Sequence, residues 1–316
     1  MRIYYQNNVS GAAHDITSLI TKASWFTERR DSPGKLELTA MTYPEIVWTH
    51  GGIVTVLDDT NKGIFYGYVF KITQNENDET EIVAYDQLRY LKNKETYVFT
   101  NKRADEIVKK IASDFKLNLG GAENTKYVIP SLVMDNETLY DTILKALDIT
   151  LINTGEMYYL WDDFGSLKLS NIKSWIANIV IGDNSYATGY TYTSSIDNRT
   201  FNKIKLGRNN SETGKREIYI WQDSKNMTLW GVLQDYEVVD ENMTPAQVKQ
   251  HGETKIALYN RPTKTFDITA ISDLRIRAGR SIYVHIEQLK QSQYYIVESA
   301  EHDLLDETMR LSLKAV

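Results

Sequence analysis

Five histidines, His14, His50, His251, His285 and His302, are the side chains best suited to hold a metal or carry a proton near neutral pH. Two imidazoles on one metal call for HxH or HExxH spacing, and neither occurs. His285 and Glu287 stand two apart and would share one face of a strand, the least that zinc could use. An exposed strand pair is the simpler reading. His302-Asp303 stands beside a turn and reads as solvated surface. Asp163-Phe-Gly165 spells the magnesium motif of kinases, but no glycine-rich loop or HRD loop precedes it and it fills a hairpin turn. Asp58-Asp59 and Asp162-Asp163 could offer oxygens to calcium. They lack the alternating ligands and terminal Glu of a calcium loop, and turn formation explains them. No GxSxG, GxGxxG or P-loop is present. A carboxylate pair for glycoside hydrolysis is defined in space rather than sequence, so 42 acids leave it formally open. The expectation is a protein that is not an enzyme, with no catalytic residues, cofactor-binding residues or metal ligands to assign and no cofactor.

What must these residues sit on? The chain has 316 residues, 42% of them hydrophobic, which is enough for two or three packed units. It has no cysteine, which removes disulfides, thiolate metal sites and cysteine nucleophiles together. No apolar run approaches the ~20 residues of a membrane helix. The first residues run straight into a strand pattern without an apolar signal region, so a cytoplasmic origin, with release by lysis, is expected. Net charge is −6, spread as −3 over residues 1–96, −2 over 97–175 and −1 over 176–316. Nucleic-acid binding needs a basic stripe to displace phosphate counterions, and no segment supplies one. The 21 tyrosines therefore read as sheet residues rather than base-stacking platforms.

Residues 1–96 show strand alternation at Lys35–Thr39, Ile53–Leu57, Phe65–Ile72 and Glu81–Tyr85, separated by turn-rich segments such as Asp31–Gly34 and His50–Gly52. Residues 97–175 change character. Ala104, Ile107, Val108, Ile111, Ala112 and Phe115 repeat at helical spacing, and Gly120-Gly121 closes that unit. A second helix is expected over Asn136–Asp148, and strands at Tyr127–Ile129, Met157–Trp161 and Ser166–Leu169. The last two are joined by the hairpin turn Asp162–Gly165. Over 176–316 the strand pattern returns, with one helix opening at Thr244-Pro-Ala-Gln247, an N-cap with Pro at N1 and a capping-box Gln. Val54–Leu57, Tyr66–Gln74 and Thr80–Tyr85 have counterparts at Ile282–His285, Tyr294–His302 and Thr308–Leu313 at one constant offset. Tyr66/Tyr294, Val69/Val297 and Thr80/Thr308 are identical. The fold class expected is α+β, mainly β: two similar small β-barrel-like domains, 1–96 and 176–316, flanking an α/β module at 97–175.

Ordered segments then suggest a family. Gly63–Phe70, Val83–Lys94, Asn153–Tyr158 with Asp162–Gly165, Tyr192–Asp197, Asn202–Lys205, Glu212–Glu217 and Trp230–Gln234 together resemble the XkdQ/YqbQ family of contractile-tail proteins. Its members occur in phages, defective prophages and phage-tail-like bacteriocins. The resemblance runs from about residue 20 to the C-terminus, and is least at Lys173–Ala187 and Glu287–Ser292. It implies a baseplate hub: a homotrimeric ring whose six barrels imitate sixfold symmetry, joining the hexameric tail tube to the trimeric central spike. Baseplate wedge and tape-measure proteins are the further partners implied. Three copies would carry about −18, and an acidic lumen would let DNA pass without specific binding. The alternatives weighed are a LysM-like peptidoglycan binder built around Asn136–Asp148 and a cell-wall hydrolase of the tail tip. Neither the residues nor the resemblance assigns particular side chains to partner surfaces.

Overall fold

The computed structural model describes residues 1–315 except Asn184, Asn198 and Glu212; the last of these begins one of the segments quoted above and lies outside the described residues. The protein is α+β and mainly β. Seven strands come first: β1 (Arg2–Gln6), β2 (Ala13–Asp15), β3 (Ile20–Glu28), β4 (Lys35–Met41), β5 (Ile53–Leu57), β6 (Gly63–Gln74) and β7 (Glu79–Tyr85). A mixed segment follows, with β8 (Lys94–Lys102), α1 (Ala104–Asp114), β9 (Leu119–Ala122), β10 (Ile129–Thr138), α2 (Leu139–Thr154), β11 (Tyr158–Asp162) and β12 (Leu167–Asn171). Next are β13 (Ile176–Gly182) and β14 (Ala187–Ser195), then β15 (Lys203–Asn210), β16 (Lys215–Gln222), α3 (Ser224–Trp230), β17 (Gln234–Val239) and α4 (Pro245–Tyr259). β18 (Thr263–Ile271), β19 (Ser281–Ile286), β20 (Gln291–Asp303) and β21 (Thr308–Ala315) complete the chain.

Thirteen of these strands form one continuous sheet, in the order β14-β18-β21-β20-β3-β4-β7-β6-β5-β1-β2, with β19 on β20 and β13 on β19. It is a single arrangement used twice. The path β3-β4-β7-β6-β5 is repeated by β14-β18-β21-β20-β19, with every pairing antiparallel. Registers agree in detail. Ile53 faces Tyr68 and Thr55 faces Tyr66, just as Ser281 faces Ile296 and Tyr283 faces Tyr294. Both long strands carry a bulge at the same point, between Val69 and Lys71 and between Val297 and Ser299. Ahead of the bulge, Gly51 N donates to Val69 O (2.7 Å) and Val69 N to Gly52 O (2.8 Å). Gly279 N donates to Val297 O (2.8 Å) and Val297 N to Arg280 O (2.8 Å) in the same way.

Two details depart from the repeat read in the sequence. Thr80 is buried opposite Gln74, and its counterpart by register is Met309, not Thr308, so the last strand is displaced by one residue. Because side chains alternate, that slip decides which of them face the core: Met309, Leu311 and Leu313 are buried whereas Thr308 is exposed. The outermost strand also differs, since β1 runs antiparallel to β5 and β13 parallel to β19.

Each half has its own core. Ile3, Tyr5, Trp25, Leu36, Val54, Val56 and Ile82 fill one; Phe266, Ile268, Ile282, Val284, Tyr295 and Leu311 fill the other. The mixed segment packs α1 and α2 over the antiparallel β8–β10 pair and the three-stranded β9-β12-β11 sheet, around Ile107, Ile111, Leu139, Ile143 and Leu160. Strand β8 begins at Lys94, two residues before the division placed at 96. α2 starts later and runs longer than Asn136–Asp148. Thr138 caps it by accepting from Asp141 N (3.0 Å), and Gly155 in the left-handed region ends it. The β-branched Ile149, Thr150 and Ile152 mask its last turns in the sequence. Gly120-Gly121 lies within strand β9 rather than closing a helix, and the strand expected at Tyr127 begins at Ile129. Among the described residues, the 176–316 segment holds two α-helices, not one. α3 was hidden by its short length, although Asp223 caps it from Lys225 N and Asn226 N. With α4 and the β16-β15-β17 sheet it forms a small unit around Ile204, Leu206, Val239 and Val248, inserted between β14 and β18.

Candidate assembly interface

The two halves meet where β20 pairs with β3. Ser299 faces Glu28, Ala300 faces Thr27, Glu301 faces Phe26, His302 faces Trp25 and Asp303 faces Ser24. Arg29 N donates to Glu298 O (2.8 Å) and Leu304 N to Ala23 O (2.9 Å), extending the ladder at both ends. An Arg29–Glu298 ion pair (3.0 Å) closes one side. Alternation puts Ala23, Trp25 and Thr27 inward, and Thr27 Oγ1 accepts from Ala278 N (3.0 Å).

His302 therefore lies in the core of the junction, not on solvated surface, and is 0% exposed. Its imidazole stacks on Trp25 with centroids 5.2 Å apart. Nε2 stands 2.8 Å from Ile276 O, which can only accept, so Nε2 carries the proton; the Ser272 hydroxyl then donates to Nδ1 at 2.8 Å. Both ring nitrogens are satisfied by the neutral form. Burial lowers the pKa to about 4, against the pull of the Ile276 carbonyl and Asp273. A histidine so held is a structural member rather than a proton carrier.

The mixed segment is locked onto the same seam by cation–π stacking. The Arg277 guanidinium lies 5.0 Å from the Trp161 ring and 5.6 Å from Trp25, and Arg280 lies 5.1 Å from Trp175. Trp161 and Trp175 stack at 4.5 Å. Gly279, at φ +85°, lies against Tyr159 so closely that a Cβ would fall 2.1 Å from the ring. Asp86 and Asp162 are buried nearby and both carboxyls are pushed up, first by burial; for Asp86 the Asp162 charge adds to this, while Arg277 pulls both down. Asp86 accepts from Gly34 N and Leu88 N (3.0 Å each), and Asp162 from Gly165 N (2.7 Å). These carboxylates hold turns, as expected of Asp162–Gly165, and Phe164 in that turn packs edge-on against Tyr66 at 5.7 Å. Asp58 likewise binds Thr60 N and Lys62 N (2.8 Å each). His285 Nδ1 is 3.1 Å from Ser292 Oγ, and Glu287 has left the strand for a 3-10 turn, so the two do not share a strand face. No cluster of three or more metal-ligating side chains exists among the described residues.

Beyond the junction, apolar side chains collect on two exposed strand faces. Val98 and Val133 are direct partners on the antiparallel β8–β10 pair, and Ile218, Ile220, Tyr236 and Val238 project from β16 and β17. Among the described residues, no helix is long and apolar enough to cross a membrane. Sequence reasoning missed the seam because its members are scattered over more than 270 residues. One signal was available: Gly51 and Gly279 stand at the same offset as the other repeated residues, and both have positive φ.

A family model described as YQBQ-like matches residues 23–314. The uncharacterized protein YqbQ of Bacillus subtilis (strain 168) is 36% identical over 81% of this chain and 78% of its own length. The phage-like element PBSX protein XkdQ of the same organism is 34% identical over 77% of this chain and 74% of its own. The 43 kDa tail protein of prophage MuSo2 from Shewanella oneidensis shares the fold at a TM-score of 0.72 and 14% identity, covering 100% of this chain and 98% of that one. The E. coli c3393 protein, a component of the type VI secretion system, does so at 0.58 and 11%, covering 94% and 73%.

Proposed function

The chain belongs to the YQBQ-like family, and from that premise we propose that it is the structural hub of a contractile-tail baseplate, a homotrimeric ring with pseudo-sixfold symmetry. The ring would join a hexameric tail tube to a trimeric central spike, with wedge and tape-measure proteins around it. The observation that carries this reading is the duplicated strand arrangement, joined edge to edge within one chain. Three such chains present six near-equivalent units to a sixfold partner and three identical chains to a threefold one. A chain with a single unit would have to match one symmetry and clash with the other.

In domain terms, 1–96 and 176–316 are the two ring units and 97–175 the module that braces them, with the β15–β17 and α3–α4 insertion reaching outward. The role is mechanical and needs no reaction: the buried carboxylates and His302 are engaged in holding turns and the seam. The name of the PBSX relative and the tail-protein fold favour a particle component, made in the bacterial cytoplasm and freed by lysis, whether the particle is an infectious phage or a bacteriocin. DNA would traverse the ring without specific contact, consistent with its net negative charge. Antibody-fragment labelling of intact particles tests this. Label encircling the axis between tube and spike is expected; label on the sheath or fibres would overturn it.

A further inference from the structure

We infer that the β20–β3 seam is repeated between neighbouring copies, with the free half of β6 in one chain pairing antiparallel with the outer edge of β14 in the next. This rests on the ring reading above and specifies the contact that would close it. The starting point is an asymmetry. β20 is covered by β19 as far as Ile296 and by β3 from Ser299 to Asp303. β6 is covered by β5 only as far as Tyr68, and among the described residues no strand pairs with the same side of Lys71–Gln74. β14 occupies the position that β3 has in the other half, and among the described residues its outer edge also lacks a strand partner. Each half therefore supplies one of the two edges whose equivalents are joined inside the chain.

The exposures follow the same logic. Trp25 in β3 is 2% exposed beneath the seam; its counterpart in β14 is Tyr192, half-buried, and the neighbouring Tyr190 is 38% exposed. On the other side, Ala300 and His302 are fully buried, whereas their counterparts Ile72 and Gln74 are half-buried and exposed. Covering those positions with a second copy would give both halves the same degree of burial. Bare strand edges otherwise invite uncontrolled pairing.

The repeat fixes the register. Counting from the bulges, Ser299 corresponds to Lys71 and Glu301 to Thr73. Through β18 and β4, Trp25 corresponds to Tyr192 and Phe26 to Thr193. Glu301 facing Phe26 thus becomes Thr73 facing Thr193, and His302 facing Trp25 becomes Gln74 facing Tyr192. Because Arg29 N bonds Glu298 O and Leu304 N bonds Ala23 O, the Glu301/Phe26 pair lies between hydrogen-bonded pairs. Its equivalent then has its Cα atoms about 4.5 Å apart, within the range a disulfide spans. The contact joins two different edges, so it is heterologous, and under the threefold reading above it closes after three copies.

The absence of cysteine makes the test clean. The double variant Thr73→Cys/Thr193→Cys of the full chain is oxidised and run without reductant, beside Thr73→Cys/Thr191→Cys, which is two residues out of register. Light scattering of the unsubstituted chain gives its mass. Expected are a covalent ladder ending at three chains for the first pair, little for the second, a two-chain product from mixing the single variants, and none from either single variant alone. Ser194→Pro, on the exposed edge, removes an N–H that the same correspondence aims outward, and is expected to abolish association while leaving the melting temperature of the monomer intact. A three-chain mass with no Thr73–Thr193 product, or with preferential Thr73–Thr191 product, overturns the pairing and leaves the ring standing. Self-linking of Thr73→Cys alone, or no intermolecular product and a one-chain mass, also overturns it. In those cases particle labelling decides the ring separately.

Discussion

At the scale of single residues, His302 makes the clearest commitment. Its pKa falls from the usual 6.5 to about 4, so between those values the unfolded chain binds a proton that the folded one refuses. Its contribution to stability is complete above pH 6.5 and is lost as pH drops toward 4. Asp86 and Asp162 are shifted upward and act in the opposite sense, losing stability as pH rises through their folded values. The comparison of wild type with His302→Gln isolates the histidine. The variant is expected to lose about 2–3 kcal/mol at pH 7, from the Trp25 stack and the Ser272 and Ile276 hydrogen bonds. The gap should narrow from pH 6.5 to 4.5 in denaturant titrations; a constant gap would refute the assignment. Asp105 is the reverse of Asp86 and Asp162 and, like His302, loses its contribution as pH falls. Burial would raise its pKa, but hydrogen bonds from Arg103, Lys109 and Thr125 N bring it down to about 2. Asp105→Asn should cost roughly 2 kcal/mol at pH 7, with the cost disappearing in melts as pH falls from 3.8 toward 2.

At the scale of elements, strands with strict alternation and helices with capping signatures were legible. β19, β21 and the α4 capping box match the residues that announced them, because their signals are local. The losses have physical causes. The end of α2 is rich in β-branched residues and α3 is only seven residues long, so neither propensity nor length marks the boundary. The one-residue slip at β21 is invisible to an identity match, because Thr308 and Thr80 agree in type while occupying opposite faces. His302 read as surface because a polar residue beside a turn usually is; its partners Trp25, Ser272 and Ile276 come from elsewhere in the chain. The glycine before each long strand's bulge gives the element-scale prediction. Gly279→Ala would meet the Tyr159 ring at a positive φ and should cost about 2–4 kcal/mol in chemical denaturation. Gly51→Ala, where the nearest obstacle is the Asn8 side-chain amide, should cost less. Equal losses would mean that the braced seam adds nothing at Gly279.

At the scale of the whole molecule, the duplication was readable as a spacing, whereas the fusion of both halves into one sheet was not. Across the β20–β3 pairing the Ser24 hydroxyl donates to the Glu301 carboxylate, 277 residues away, and no local pattern encodes that separation. The resemblance of ordered segments to contractile-tail proteins pointed to an assembly role, while the edges proposed to meet emerged only from comparing the halves. The central claim, two equivalent units per chain in a ring of three, is tested most directly by electron microscopy of the purified ring viewed down its axis. Averages should show six near-equal lobes whose differences repeat every 120°. Two-fold averages, open arcs, or three lobes with no sixfold component would contradict it.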